Sequence, residues 1–279
     1  MSFFDRMSNG WSLGMTSLKT IWENKNLLVF PVMSGLALIF ICLSFFGGTF
    51  ALYGQDLEAF LNRWSEHNNV VLYGILFVFY LINYFIIVFF NVGLVHCARL
   101  YFEGKEASIK DGIQYSGSRL GAILSWSVLA ATVGTVLKIL EDRLGSLGRI
   151  VVGLIGMAWS IATFFVVPVI AYENVGPIAA VKRSGSMMKE KWGESLGANF
   201  SFGVFFLLGY FLIALLAVLL FFIHPILAIV AAVLAALLLH TVVAAAKTVF
   251  IAATYNHMTD QPAGLFDENE MLDTLFLVK

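Results

Sequence analysis

Long apolar runs alternate with short polar connections along most of this chain, and the runs set its architecture. A helix needs about 20 mostly apolar residues to cross the hydrocarbon of a bilayer. Stretches of that character cover 27–53, 70–98, 120–139, 150–172, 196–222 and 225–248. The stretch 196–258 is too long for one crossing, and Pro225 suits the first turn of a new helix, where its missing N–H costs nothing. A tight hairpin is predicted there. The pattern predicts an all-α polytopic membrane protein, its six transmembrane helices arranged as three hairpins. Residues 1–258 form a single transmembrane domain and 259–279 an acidic cytoplasmic tail. The first run follows a long polar lead and exceeds a signal-peptide core, so it is expected to be a retained span.

The connections carry a second pattern. Ile178, Val181, Gly185, Met188 and Trp192 recur on one helical face, with Lys182, Arg183, Ser186, Lys189 and Glu190 on others. An apolar stripe ending in tryptophan, opposed by lysine, is the composition of a helix lying in the membrane interface. Near the start, Trp11, Met15, Leu18 and Trp22 repeat the stripe, opposed by Ser12, Thr16, Lys19 and Glu23. Ser108 to Asp111 reads as a capping box before Ile113. Each of these in-plane helices precedes a hairpin, which predicts a threefold repeat of helix plus hairpin. Leu57, Phe60, Leu61 and Trp64 predict a short interfacial helix on the opposite side.

Charge placement orients the spans. Arg6, Lys19, Lys25, Arg99, Lys105, Lys110, Arg119, Lys182, Arg183, Lys189, Lys191 and Lys279 collect on one side; Arg63, Lys138, Arg143 and Arg149 fall on the other. The positive-inside bias then makes both termini cytoplasmic. Composition agrees with a membrane protein: 59% of residues are hydrophobic and 13% charged. The net charge of −1 leaves no global basic field for nucleic acid. Cys42 and Cys97, far apart in apolar segments, are expected to be buried free thiols. The tail places Met271, Leu272, Leu275 and Val278 at helical spacing among acids, a pattern open to docking on the basic cytoplasmic helices, to a protein partner, or to a solvated tail.

Polar residues inside spans are the candidate functional groups, because lipid leaves them unsatisfied. They are Asn83, Asn91, His240 and Lys247, with Glu173 at the end of the fourth span. His240, Ala244, Lys247, Ile251 and Thr254 share a stripe, and Glu173 is expected to pair with Lys247 near the inner interface. Their functional reading is a path for an ion or small polar solute; the competing one has Asn and His joining helices while Lys247 snorkels. Lys19, Lys182, Arg183, Lys189, Lys191 and Trp192 are the expected contacts to lipid headgroups. Ala228, Ala232 and Ala236, and Gly153 with Gly156, mark expected close helix approaches. The letters Gly193 to Gly197 match a G-x-S-x-G elbow around Ser195, but no strand is available to present the serine. No catalytic residues, metal ligands or cofactor site are predicted.

The stretch containing Pro168, Glu173, Gly176, Pro177, Arg183, Ser184 and Trp192, with Pro31 in the first span, resembles an uncharacterised family of prokaryotic six-span membrane proteins. That family is distantly similar to the membrane domains fused to some glycerophosphodiester phosphodiesterases. The resemblance implies fold and location, a prokaryotic cytoplasmic membrane, and no reaction. The expected function is non-enzymatic organisation of lipids or partner proteins, as a homo-oligomer. The alternative is a small transporter or channel, and an intramembrane enzyme comes third.

Overall fold

The structure is a computed structural model and describes residues 3–53, 69–190 and 192–268. It is all-α. Among the described residues six helices are long and apolar enough to cross a membrane: Asn26–Phe45, Leu72–Phe102, Leu120–Leu144, Gly148–Tyr172, Phe202–Phe221 and Pro225–Met258. The chain is a multi-pass membrane protein. The stripe at Leu57–Trp64, the tail residues Met271–Val278, Arg63 and Lys279 lie outside what is described, as do the side chains of Arg6, Lys191, Trp192 and Ser195.

In chain order the helices are α1 (Phe3–Glu23), α2 (Asn26–Tyr53), α3 (Asn69–Phe102), α4 (Ile109–Ser118), α5 (Leu120–Ala162), α6 (Val166–Tyr172), α7 (Pro177–Glu190), α8 (Trp192–Phe221), α9 (Pro225–Met258) and α10 (Leu265–Glu268). They gather into two compact units. One comprises Met1–Val32, Gly93–Gln114 and Ser186–Lys279; the other comprises Met33–Val92 and Tyr115–Gly185.

In the first unit α8 and α9 form the predicted hairpin, with Pro225 opening α9 after extended His224. Their outer reaches expose large apolar side chains, among them Phe211, Leu212, Ile226, Ile229 and Leu234. Water would not tolerate such a surface, whereas hydrocarbon matches it. Ala228 is buried and shares a groove with Ala217 and Phe221, so the alanine stripe begins as a contact within the hairpin. Toward its C-terminus α9 changes character: Val243, Ala245, Ala246, Val249, Phe250 and Ala252–Asn256 are buried. α1 packs against both α8 and α9. Phe102 meets Phe266 edge-on with centroids 6.2 Å apart, and Gly264 takes φ +64° beside them. Phe30 is fully buried between α3 and α4. A Cβ at Gly93 would stand 2.8 Å from its ring and 3.0 Å from the Gly112 carbonyl oxygen, so this approach requires glycine.

The second unit resolves an apparent conflict. α5 runs unbroken through 43 residues, about 65 Å if straight, where two spans were expected. Straightness would also hold Trp126 and Trp159 about 50 Å apart. Their rings instead stack 5.8 Å apart at an interplanar angle of 4°. The run therefore doubles back between Leu144 and Gly148 and supplies both spans as a hairpin. Phe45 and Phe79 likewise join α2 to α3, 5.6 Å between centroids. Gly153 and Gly156 make no close approach within the chain: among the described residues nothing lies within 4 Å of where their Cβ atoms would be.

The fourth span also departs from the expected unbroken helix. Pro168 has no N–H to give the Phe164 carbonyl, and its ring would clash there in a continuous helix. The chain turns at Thr163–Phe165 and restarts as α6, in which Val166, Pro168, Val169, Ile170 and Ala171 are buried. Proline is tolerated in the first turn of the restarted helix. The amide freed at Phe165 donates to Ser184 Oγ of α7, 2.9 Å away.

Candidate functional site

α1 leaves its tryptophan stripe exposed and buries a second face. Leu13, Thr16, Ser17, Thr20 and Ile21 are buried, whereas Trp11, Met15 and Trp22 are exposed. Thr16 was expected on the polar, outward side. Small hydroxyl residues can pack inward because their protons stay within the helix: Ser17 donates to the Leu13 carbonyl (2.9 Å) and Thr20 to that of Thr16 (3.0 Å). Trp11 stacks on Phe205 at 4.4 Å. At the other end Trp22 is 77% exposed, and the Lys25 ammonium sits 5.4 Å from its ring centroid. Lys19 is exposed and pairs loosely with Glu23, 3.9 Å away.

α7 behaves similarly. Ala180, Ser184, Met187 and Met188 are buried, while Ile178, expected in the apolar stripe, is 64% exposed. Lys182, Arg183 and Lys189 are exposed, as a headgroup-facing side requires. Arg183 is also committed internally, its Nε donating to Glu173 Oε1 at 3.0 Å, so Arg183 is the observed partner of Glu173. Just before Glu173, the Tyr115 hydroxyl donates to the Ala171 carbonyl at 2.7 Å. The Arg119 guanidinium lies 5.5 Å from the Tyr115 ring centroid.

The intramembrane polar residues find local roles. Asn83 donates to the Phe79 carbonyl of its own helix at 2.7 Å. Asn91 is half-buried on α3. His240 Nε2 bonds the Tyr210 hydroxyl across the α8–α9 hairpin, and its ring lies 4.9 Å from Phe206. His240, Ala244 and Lys247 are exposed, while Thr254 is buried. The stripe they were expected to form thus runs from surface to core and does not line one cavity.

A polar cleft of about 630 Å³ was not anticipated. It is lined by residues of the α1–α2 turn and of the loop leading to α4, including Glu23, Asn26, Tyr101, Lys105, Glu106 and Asp111. The Tyr101 hydroxyl donates to Glu23 at 2.5 Å and Asn26 to the Ala107 carbonyl at 3.3 Å. The predicted capping box closes one wall. Ser108 donates to Asp111 Oδ2 through both hydroxyl (2.6 Å) and amide (3.0 Å), and the Asp111 amide returns a bond to Ser108 Oγ at 3.2 Å. These donors hold the Asp111 carboxyl below the usual carboxylate range. Nearby, Lys105 and Arg99 hold that of Glu103 low as well, through contacts of 2.5 and 3.0 Å. The signal in the sequence was the alternation of charge and small residues in Glu103-Gly104-Lys105-Glu106, which marks a solvated turn but not its neighbours.

Ser195 falls in the first turn of α8, with helix and no strand around it, so the elbow geometry is missing. No curated protein matches the chain. A family of unknown function, DUF6159, matches residues 70–265. That match spans α3 to the start of α10 and takes in five of the six membrane-crossing helices. The chain belongs to the DUF6159 family.

Proposed function

We propose that this protein is a non-enzymatic, multi-pass protein of a prokaryotic cytoplasmic membrane, with both termini in the cytoplasm. On this reading it organises lipids or partner proteins at the inner surface and works as a homo-oligomer. The observation that carries it is the outward face of α1. Met15 and Trp22 are exposed, Trp11 keeps one side exposed while stacking on Phe205, and only Asn24 and Lys25 separate α1 from the first span. A helix joined so closely to a span is held at the membrane boundary, where indole rings partition favourably. Exposed Lys182, Arg183 and Lys189 on α7 supply the charge that anionic headgroups attract.

The transporter reading draws less support, because the Asn83 amide serves its own helix and His240 is engaged by Tyr210. The test uses the full chain in vesicles containing brominated lipids. Wild-type tryptophan emission is expected to be quenched most by shallow bromines, with that component reduced in Trp22→Phe. Quenching of Trp22 by aqueous iodide, without any by lipid, would overturn the surface role. Solute flux in liposomes that disappears in His240→Ala and Lys247→Ala would favour the transporter.

A further inference from the structure

The exposed stripe of α1 is met again by the far end of the chain. Met15 and Trp22 are exposed, Leu18 between them is half-buried, and exposed Lys19 and Lys25 flank them. Met15 and Trp22 lie seven positions apart, about 10 Å along a helix. Within the same unit, α10 packs against α1. Phe266 anchors α10, its side chain fully buried against the Phe102 ring. α10 ends two positions later, at Glu268, so the residues that follow depart from beside α1.

Those residues complement the stripe in length, apolar pattern and charge. Met271, Leu275 and Val278 recur at i, i+4 and i+7 and share one helical face, again about 10 Å long. Asp267, Glu268, Glu270 and Asp273 make the segment acidic against the single Lys279. On α1, Lys19 stands 3.9 Å from Glu23, beyond hydrogen-bond length, and Lys25 rests over the exposed Trp22 ring. Only Asn269 and Glu270 separate α10 from Met271. So short a tether gives the segment an effective concentration in the millimolar range, enough to seat a modest apolar contact.

We infer that residues 269–279 dock as a helix on the Met15–Trp22 face of α1, acids toward Lys19 and Lys25, as a cover that an anionic membrane surface displaces. The cover rests on the membrane reading above and regulates that same face. A helix of this length takes its order from the apolar face it buries. Anionic headgroups attract the two lysines and repel the acids of the segment, so the two occupants exclude one another. Over neutral lipid the stripe stays covered; over anionic lipid the Trp22 indole is released to the interface.

The test is amide hydrogen exchange and tryptophan quenching on the full chain in phosphatidylcholine vesicles, with and without phosphatidylglycerol. Over phosphatidylcholine, amides 271–278 are expected to exchange about tenfold more slowly in wild type than in Leu275→Asp, the least that burial of one leucine would give. Lys19→Glu combined with Trp22→Ser should release the segment as fully, since those residues form its seat. Both are exposed, so the buried end of α9 should stay as protected as before. Phosphatidylglycerol should remove the protection in wild type and raise quenching of Trp22 by shallow bromines to the Leu275→Asp level, with Trp22→Phe as the subtraction. Fast exchange of 271–278 in wild type over phosphatidylcholine would overturn the cover. So would protection that survives the Lys19 and Trp22 substitutions, which would put the segment in lipid or on a second copy of the chain. Protection undiminished by phosphatidylglycerol, or Trp22 quenching over phosphatidylcholine equal in wild type and Leu275→Asp, would overturn the competition with lipid. Trp22 reached by aqueous iodide and by no brominated lipid under any condition would instead overturn the membrane reading, and the exchange data would still judge the docking.

Discussion

The Phe165 amide donates to Ser184 Oγ at 2.9 Å, where an unbroken helix would have sent it to the Ile161 carbonyl. Both residues are fully buried, so no water can stand in for the hydroxyl. Ser184→Ala is expected to cost about 1–3 kcal/mol, the desolvation penalty of an orphaned amide. Ser184→Thr, which keeps the acceptor, should lose less. Denaturation of the detergent-solubilised chain checks both; equal losses would mean that packing, not the bond, matters at this position.

α1 lies tightly on α8 at Gly14. A Cβ there would collide with the Phe205 ring, 2.2 Å from its nearest atom. Gly14→Ala should therefore destabilise by about 1–3 kcal/mol through overpacking. Phe205→Leu in the same chain should recover part of that loss, measured as the midpoint of thermal unfolding. If the double variant is no better than the single, the collision is not the cause.

Glu103 and Asp111 titrate below their ordinary values, and the sign of the linkage follows. Stabilisation from a depressed carboxyl is complete above its unfolded pKa and is lost as pH falls through the lower folded one. For Glu103, ordinarily 4.5, and Asp111, ordinarily 3.8, the weakening therefore begins at acid pH and leaves neutral pH untouched. Amide hydrogen exchange in α4, corrected for its intrinsic pH dependence, should rise below about pH 4. Asp111→Asn should raise exchange at pH 7 and flatten that acid response; a variant as protected as wild type at pH 7 would show the cap to be dispensable.

Tyr210 and His240 form a polar pair on an otherwise apolar hairpin. Tyr210→Phe leaves the imidazole without its partner and should cost about 0.6–1.7 kcal/mol, the range measured for polar pairs between membrane helices. Adding His240→Leu should restore most of it, since removing both partners avoids an orphan. A double-mutant cycle in detergent or bicelles gives the coupling, and a value near zero would demote the pair to chance proximity.

The sequence made the six spans readable because each is set by local hydropathy over 20 or more residues, and the Ser108–Asp111 cap because both partners lie within one turn. The break at Thr163–Phe165 was hidden, since it needs Pro168 and a hydroxyl 19 residues beyond Phe165 in the chain. The inward faces of α1 and α7 were hidden for one shared reason. Ser17, Thr20 and Ser184 count as polar in a periodicity, yet each is buried once its hydrogen bond is made inside the protein.

The shortness of the α8–α9 connection bears on how the protein is made. Only Phe222, Ile223 and His224 stand between the two helices. So short a link cannot leave one helix threaded through a bilayer while its neighbour waits in water with its leucines bare. During biogenesis the unit that enters the lipid is the pair. A chain truncated and released after Phe221 would lack the helix that covers Ala217 and Gly209, a natural target for membrane quality control.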